Sequence, residues 1–278
     1  MISDLLRLDR GSVDLSRLET DATRGFDGDK AAGEDALPEF RAELGKLQEK
    51  LFAEGYTGGN RKVLLVLQGM DTSGKGGVLS HAVGLLDPAG VRLKSFKKPT
   101  TDELAHDFLW RIERELPAAG EIGIFDRSHY EDVLVVKVHQ LADAREIERR
   151  YDAINAFEKR MVEDGTVVIK CMLHISRAQQ KQRLLARLDD PTKRWKFKPG
   201  DIDERGHWPE YQAAYEIALE RCNTEAAPWF VIPSDHKWYR NWAIGRLLLE
   251  HLRGLDLAWP LPDYDVAEQR ARLESETD

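Results

Sequence analysis

The chain has 278 residues, a formal net charge of −8, 42% hydrophobic and 32% charged residues. That balance builds a sizeable core for one catalytic domain, argues against a general nucleic-acid binder, which needs a basic surface, and leaves no apolar run long enough for a membrane span. No signal peptide is read at Met1–Arg10, and Cys171 and Cys222 form neither a disulfide framework nor a metal-ligand spacing, so a reducing, cytoplasmic setting is expected.

Residues 1–60 read as an N-terminal extension, polar and weakly periodic to about residue 36 and then an amphipathic helix through Phe40, Leu44, Leu47 and Leu51. The turn cluster at residues 55–60 opens a catalytic domain over 61–260. Apolar, β-branched runs predict strands at 62–68, 91–96, 121–125, 166–174 and 228–232. Helices are predicted at about 75–86, 102–116, 144–163, 176–188, 207–222 and 237–254. Thr100 with Glu103, and Ser176 with Gln179, fit reciprocal caps, while Ile147, Tyr151, Ile154, Phe157 and Met161 form a buried stripe. The alternation implies an α/β fold in three layers, α/β/α, around a five-stranded parallel sheet, with a helical lid over about 176–222. The tail, 261–278, is polar and acidic and is expected to fray.

After the first strand, Gly69-Met70-Asp71-Thr72-Ser73-Gly74-Lys75-Gly76-Gly77 is a glycine-rich turn carrying one lysine, the arrangement that lets backbone N–H groups and an ammonium converge on phosphate. Gly76 replaces the Ser or Thr that usually follows the lysine and offers a hydroxyl to magnesium, so the metal needs another ligand, with Asp71 nearest. The third strand delivers Asp126 and Arg127 to the same carboxyl edge of the sheet, where Asp71 and Asp126 can share a divalent cation, Mg2+ or Mn2+. Glu131 and Asp132 are either further site acids or a solvated helix turn.

Between Lys181 and Lys198 stand seven basic residues, among them Arg183, Arg187, Lys193 and Arg194, against only Asp189 and Asp190. Such a segment in an acidic chain suggests a lid that closes over a polyanion. Arg92, Lys94, Lys97 and Lys98 either line the same channel or are ordinary strand-end charge. Trp208, Tyr211 and Tyr215 read as a packing stripe, and His129 and His174 as structural histidines.

Five blocks in order resemble the family-2 polyphosphate kinases: G-M-D-T-S-G-K-G-G at 69–77, F-D-R-S-H-Y-E-D-V-L at 125–134, R-L-D-D-P-T-K-R-W-K-F at 187–197, A-P-W-F-V-I-P at 227–233 and K-W-Y-R-N-W at 237–242. The resemblance runs over roughly residues 38–260 and implies a P-loop-kinase-like fold, magnesium or manganese dependence, and reversible phosphoryl transfer between inorganic polyphosphate and nucleoside mono- or diphosphates. It implies Asp71, Lys75, Asp126 and Arg127 as the catalytic set and Gly69, Ser73, Gly74, Lys75, Gly76 and Gly77 on phosphate. Arg183, Arg187, Lys193 and Arg194 would hold polyphosphate, and Glu131, with Lys75 and Arg127, the nucleotide. S-H-Y-E-D at 128–132 looks like the branch that accepts both AMP and ADP, although members of that branch often carry asparagine where this chain has Asp126. A homo-oligomer, dimer or tetramer, is implied as well. The competing readings are an ATP-dependent nucleoside-monophosphate kinase and a non-catalytic polyphosphate- or nucleotide-binding protein.

Overall fold

The computed structural model describes residues 1–276. Five parallel strands stand in the order β2-β3-β1-β4-β5: β1 (Lys62–Gln68), β2 (Val91–Ser95), β3 (Ile122–Asp126), β4 (Thr166–His174) and β5 (Trp229–Pro233). The expected strands are therefore present, each within one or two residues of its expected bounds.

Alternation along β1 divides the core in two. Val63, Leu65 and Leu67 face one layer, whose helices are α2 (Lys30–Glu39), α3 (Arg41–Tyr56), α4 (Lys75–His81) and α12 (Lys237–Gly254). Leu64 and Val66 face the other, built from α8 (Ala144–Glu163) and α11 (Trp208–Arg221). The α8 stripe of Ile147, Tyr151, Ile154, Phe157 and Met161 is buried as its spacing requires, and truncating such a side chain to alanine typically costs about 2–5 kcal/mol.

Four expectations change. Residues 1–36 are not a loose extension: α1 (Ile2–Leu6) packs on the outer edge of the sheet, Arg7 bridges Phe230, and the Leu8 amide donates to the Trp229 carbonyl at 2.8 Å. The predicted helix 102–116 is two short ones, α5 (Thr101–Leu104) and α6 (Trp110–Glu113). Between them Asp107 accepts the Leu109 amide at 3.0 Å and starts a new helix, a local side-chain bond outcompeting continuation of the first. The helix after the phosphate loop stops at His81 and tightens into a 3-10 turn, Val83–Leu85. The tail carries α13 (Val266–Glu274), a helix with no buried residue; positions 277 and 278 of the expected fraying tail lie outside the described residues.

The Thr100–Glu103 cap closes in both directions. Ser176 accepts the Gln179 amide at 3.0 Å, but its own amide donates to Asp235 at 2.8 Å, so that cap is one-sided. The lid comprises α9 (Arg177–Asp189), a 3-10 turn at Arg194–Lys196 and α10 (Gly200–Gly206), the last lying outside every predicted helix. The remaining described helix is α7 (Val135–Val138). No described helix is long and apolar enough to cross a membrane.

Candidate active site

Three loops at the carboxyl ends of β1, β3 and β4 converge. The turn from Gly69 to Gly74 leaves β1 with positive φ at Gly69 (150°), Thr72 (62°) and Gly74 (111°). At Gly74 a Cβ would collide with the Arg240 guanidinium, so glycine is required both for the dihedral and for the approach of that arginine. Thr72 is β-branched and holds a left-handed conformation, a strain that persists only where surroundings over-determine it.

Those surroundings are hydrogen-bond donors to the loop's carbonyls. Gln180 donates to Asp71 O (3.0 Å), Arg183 to Thr72 O (2.8 Å) and Ser73 O (2.9 Å), and Arg240 to Ser73 O (3.1 Å). With its carbonyls held on that side, the loop presents its amides to the other: the N–H groups of Asp71, Thr72, Gly74, Lys75 and Gly76 have no acceptor among the described residues. Arg183 and Arg240 are buried, with no carboxylate ion-pair partner among the described residues. Desolvation lowers the Arg183 guanidinium, and desolvation together with Arg183 brings Arg240 down to about 9. The floor of the loop is a positive region short of counter-charge.

Lys75 curls its ammonium back to Gly69 O at 2.7 Å. Desolvation and then Arg127 hold it below the usual lysine range, against the pull of Asp71, Asp126 and Glu131. The three carboxylates thus act on the one ammonium, although Asp71 and Asp126 leave from different strands. Arg127 adopts φ 63° immediately after β3 and donates to Asp71 at 3.1 Å, with Glu131 at 3.9 Å. Burial alone would lower this guanidinium; Glu131, Asp71 and Asp126 more than reverse that. Asp126 accepts from Ser95 at 3.2 Å through Oδ2, whereas Oδ1 is buried with no hydrogen-bond partner among the described residues. Among the described residues no group of three or more His, Cys, Asp or Glu side chains forms a metal cluster.

Beside this set lies a cavity of about 690 Å³, within the usual range for small-molecule sites, reaching from Gly69, Asp71, Arg127 and Glu131 to an apolar end at Phe96 and Leu134. Tyr211 and Glu204 close it from the lid side, where Tyr211 donates to Glu204 at 2.8 Å and Glu204 meets His139 at 3.1 Å. Glu131 accepts from Gln68 at 3.0 Å and lines the cavity, which fits a site acid better than a solvated turn.

The sequence-derived residues divide accordingly. Asp71, Lys75, Asp126, Arg127 and Glu131 come together. Arg183 is not a free lid cation: besides the loop carbonyls it binds Ser234 O and Asp235 O, and so anchors the loop from below. Arg187, Lys193 and Arg194 stay with the lid, bonded to Lys196 O (3.2 Å), Asp190 (2.6 Å) and Leu188 O (2.8 Å). Of the second basic cluster, Arg92 and Lys94 pair with Glu115, while Lys97 and Lys98 line the cavity. His129 and His174 are buried and structural, and Tyr215 packs in the core as its stripe predicts. Gln68, Gln180 and Arg240 are additions. Each is a polar residue buried within its strand or helix, Gln68 at the end of an apolar strand, Gln180 on a polar helix and Arg240 among aromatic residues, a signal visible in sequence only once the loop's position is known.

Asp132 is also in the cavity wall, against Arg111 (3.7 Å) and Arg150 (3.2 Å), yet burial outweighs both guanidiniums and raises its carboxyl from 3.8 to about 6. In the fold it therefore binds a proton more tightly than in the unfolded chain, so its favourable contribution is complete below pH 4 and is lost as pH rises to about 6. Asp132→Asn removes this dependence. Wild-type stability relative to the variant should fall by about 3 kcal/mol between pH 3 and pH 7 in urea melts, and a pH-independent difference would contradict the assignment.

Residues 27–258 match the sequence model of the family described as Polyphosphate kinase 2. An AMP/ADP-polyphosphate phosphotransferase of Meiothermus ruber is 47% identical over 253 residues, spanning 91% of this chain and 93% of the relative. An ADP-polyphosphate phosphotransferase of Rhodopseudomonas palustris is 37% identical over 229 residues, 78% of each chain. The crystal structure of Polyphosphate Kinase 2 from Arthrobacter aurescens TC1 superposes with a TM-score of 0.96 at 52% identity, covering 99% of this chain and 97% of that one.

Proposed function

The chain belongs to the Polyphosphate kinase 2 family, and from that premise we propose that its cleft transfers a phosphoryl group reversibly between inorganic polyphosphate and a nucleotide, with both AMP and ADP, or their guanine equivalents, as acceptors. The observation that carries the reading is the loop floor: Arg183 and Arg240, buried and without carboxylate partners among the described residues, beneath a row of amides that meet no acceptor there, call for a polyanion as their counter-charge. The adjoining cavity has room for a nucleoside whose phosphates reach Arg127 and Lys75.

In this reading the acceptor's terminal phosphate oxygen attacks the end phosphate of polyphosphate in line. The protein's work is positioning and charge compensation. Lys75 and Arg127 neutralise the transferring group, Asp71 fixes Arg127 and orients the acceptor, and Glu131 sits on the nucleotide side. Gly69, Ser73, Gly74, Gly76 and Gly77 shape the phosphate cradle, and Arg187, Lys193 and Arg194 hold the rest of the polyphosphate under the lid.

A divalent cation fits the residues present. The buried Oδ1 of Asp126, without a hydrogen-bond partner among the described residues, is a carboxylate oxygen open to a cation, and Asp71 supplies a second hard donor. With so few protein ligands, Mg2+ or Mn2+ would complete its shell with substrate phosphates and water, and when bound would offset charge on the phosphoryl oxygens. We further propose a homo-oligomer, dimer or tetramer, since Trp259, Leu261, Tyr264, Val266 and Leu273 lie exposed around a helix that buries nothing.

Protein, Mg2+, ADP and polyphosphate mixed without ATP should yield ATP, and AMP in place of ADP should yield ADP. Turnover of AMP only when ATP is added would instead identify an ordinary monophosphate kinase. Saturable binding with no product would identify a binding protein.

A further inference from the structure

Below the site, on the α8 side of the sheet, lies a charged network that the transfer reaction does not touch. Lys170 of β4 and Glu158 of α8 are completely buried and 2.6 Å apart. Glu158 also accepts from the Tyr130 hydroxyl at 2.7 Å and faces His129 at 3.2 Å, while Lys170 donates to Tyr130 at 2.8 Å and to the Cys222 carbonyl at 2.7 Å. Burying an ion pair costs desolvation that its attraction repays poorly, and a well-packed apolar pair often serves stability as well. Its use therefore calls for another explanation.

The groups it joins supply one. His129 and Tyr130 follow Arg127 and Ser128 directly, in the 3-10 turn that ends with Glu131 and Asp132. The same turn starts from the left-handed backbone of Arg127, a conformation that costs free energy and needs outside support. The Tyr130 amide donates to Ser128 Oγ at 3.2 Å, so the pinned tyrosine fixes the segment behind Arg127. Cys222 caps α11, the helix that carries Tyr211 and Tyr215 to the cavity wall.

We propose that the Lys170–Glu158 pair is the positioning device of the site: through Tyr130 and His129 it holds the Arg127 backbone in its strained conformation, and through the Cys222 carbonyl it ties α11 to the same point. The inference rests on the role given above to Arg127. Lys170 and Glu158 touch no reacting atom, so they are positioning residues, and their effect must pass through the guanidinium they aim.

The test is the double variant Glu158→Gln/Lys170→Met, which removes both buried charges together and keeps an acceptor for Tyr130. It should melt within a few degrees of wild type, yet kcat for ATP formation from ADP and polyphosphate should fall about 10–100-fold, with a much smaller change in the KM for ADP. Added to Arg127→Lys, it should cause little further loss, because the two act on one group. If the double variant does not fold, Tyr130→Phe carries the test, with a several-fold fall in kcat and the same non-additivity. A folded double variant at the wild-type rate, or full additivity with Arg127→Lys, would overturn the proposal. Arg127→Lys running at the wild-type rate would overturn the site reading itself, whereas a slow Arg127→Lys beside a fast double variant would overturn this inference alone.

Discussion

Lys75→Ala should lower kcat by about 10²–10³-fold, the usual cost of removing one preorganised charge or donor from a developing transition-state anion, with the melting temperature nearly unchanged. The fold has little to lose. Among the described residues Lys75 Nζ makes one hydrogen bond, to Gly69 O, and bonds of that kind contribute about 0.5–1.5 kcal/mol net. Alanine is also the best helix former for the first position of α4. The chemistry has much to lose, because desolvation already disfavours this ammonium and the neighbouring Arg127 adds to that, so its charge is maintained by Asp71, Asp126 and Glu131. A phosphate entering the cradle gives the ammonium the partner that the Gly69 carbonyl only approximates. Steady-state rates with polyphosphate and ADP, set beside thermal melts, decide the matter. A folded Lys75→Ala protein within tenfold of the wild-type rate would take Lys75 out of the catalytic set.

Much of this site was legible before any coordinates. The strand that ends at Gln68 is a continuous apolar run, the glycines that follow have a single mechanical purpose, and Asp126 falls at the end of the strand that pairs beside it, Leu67 against Asp126. What the sequence hides is set by contacts between distant segments. Ile2, Leu6 and Leu15 are too few to set a readable period, and only their contacts with distant segments, Ile2 on Glu250 and Leu15 on Glu216 and His174, reveal them as core. Arg183 and Arg187 share a helical face by spacing, yet the first is buried against the phosphate loop and the second is left to the lid, since the loop contacts one turn of α9 and not the next. Arg240 reads as a charge on a surface helix until Gly74 is seen to make room for it. Asp107 shows the opposite limit: a two-residue side-chain bond broke a helix whose apolar period continued through it.

Asp126→Ala should reduce kcat by about 10²–10³-fold, and Asp126→Asn should lose less while needing about tenfold more Mg2+ for half-maximal rate. The two substitutions separate charge from ligation. Alanine removes both oxygens, leaving Asp71 as the one acid of the pair that could hold a cation. Asparagine keeps a neutral oxygen able to ligate and to accept from Ser95, and gives up only the negative charge. The buried Oδ1 without a hydrogen-bond partner among the described residues points the same way: a carboxylate oxygen away from water is costly to leave unpaired, and a divalent ion would supply the contact that Lys75 and Arg127 influence only through space. Removing that anion takes away its burial cost together with its attraction to Lys75 and Arg127 and weakens cation binding, so Asp126→Asn should stay close to wild-type stability in urea while showing the shifted Mg2+ titration. Two results would break the link between Asp126 and the cation: an unchanged Mg2+ midpoint in the asparagine variant, or an alanine variant that turns over at the wild-type rate.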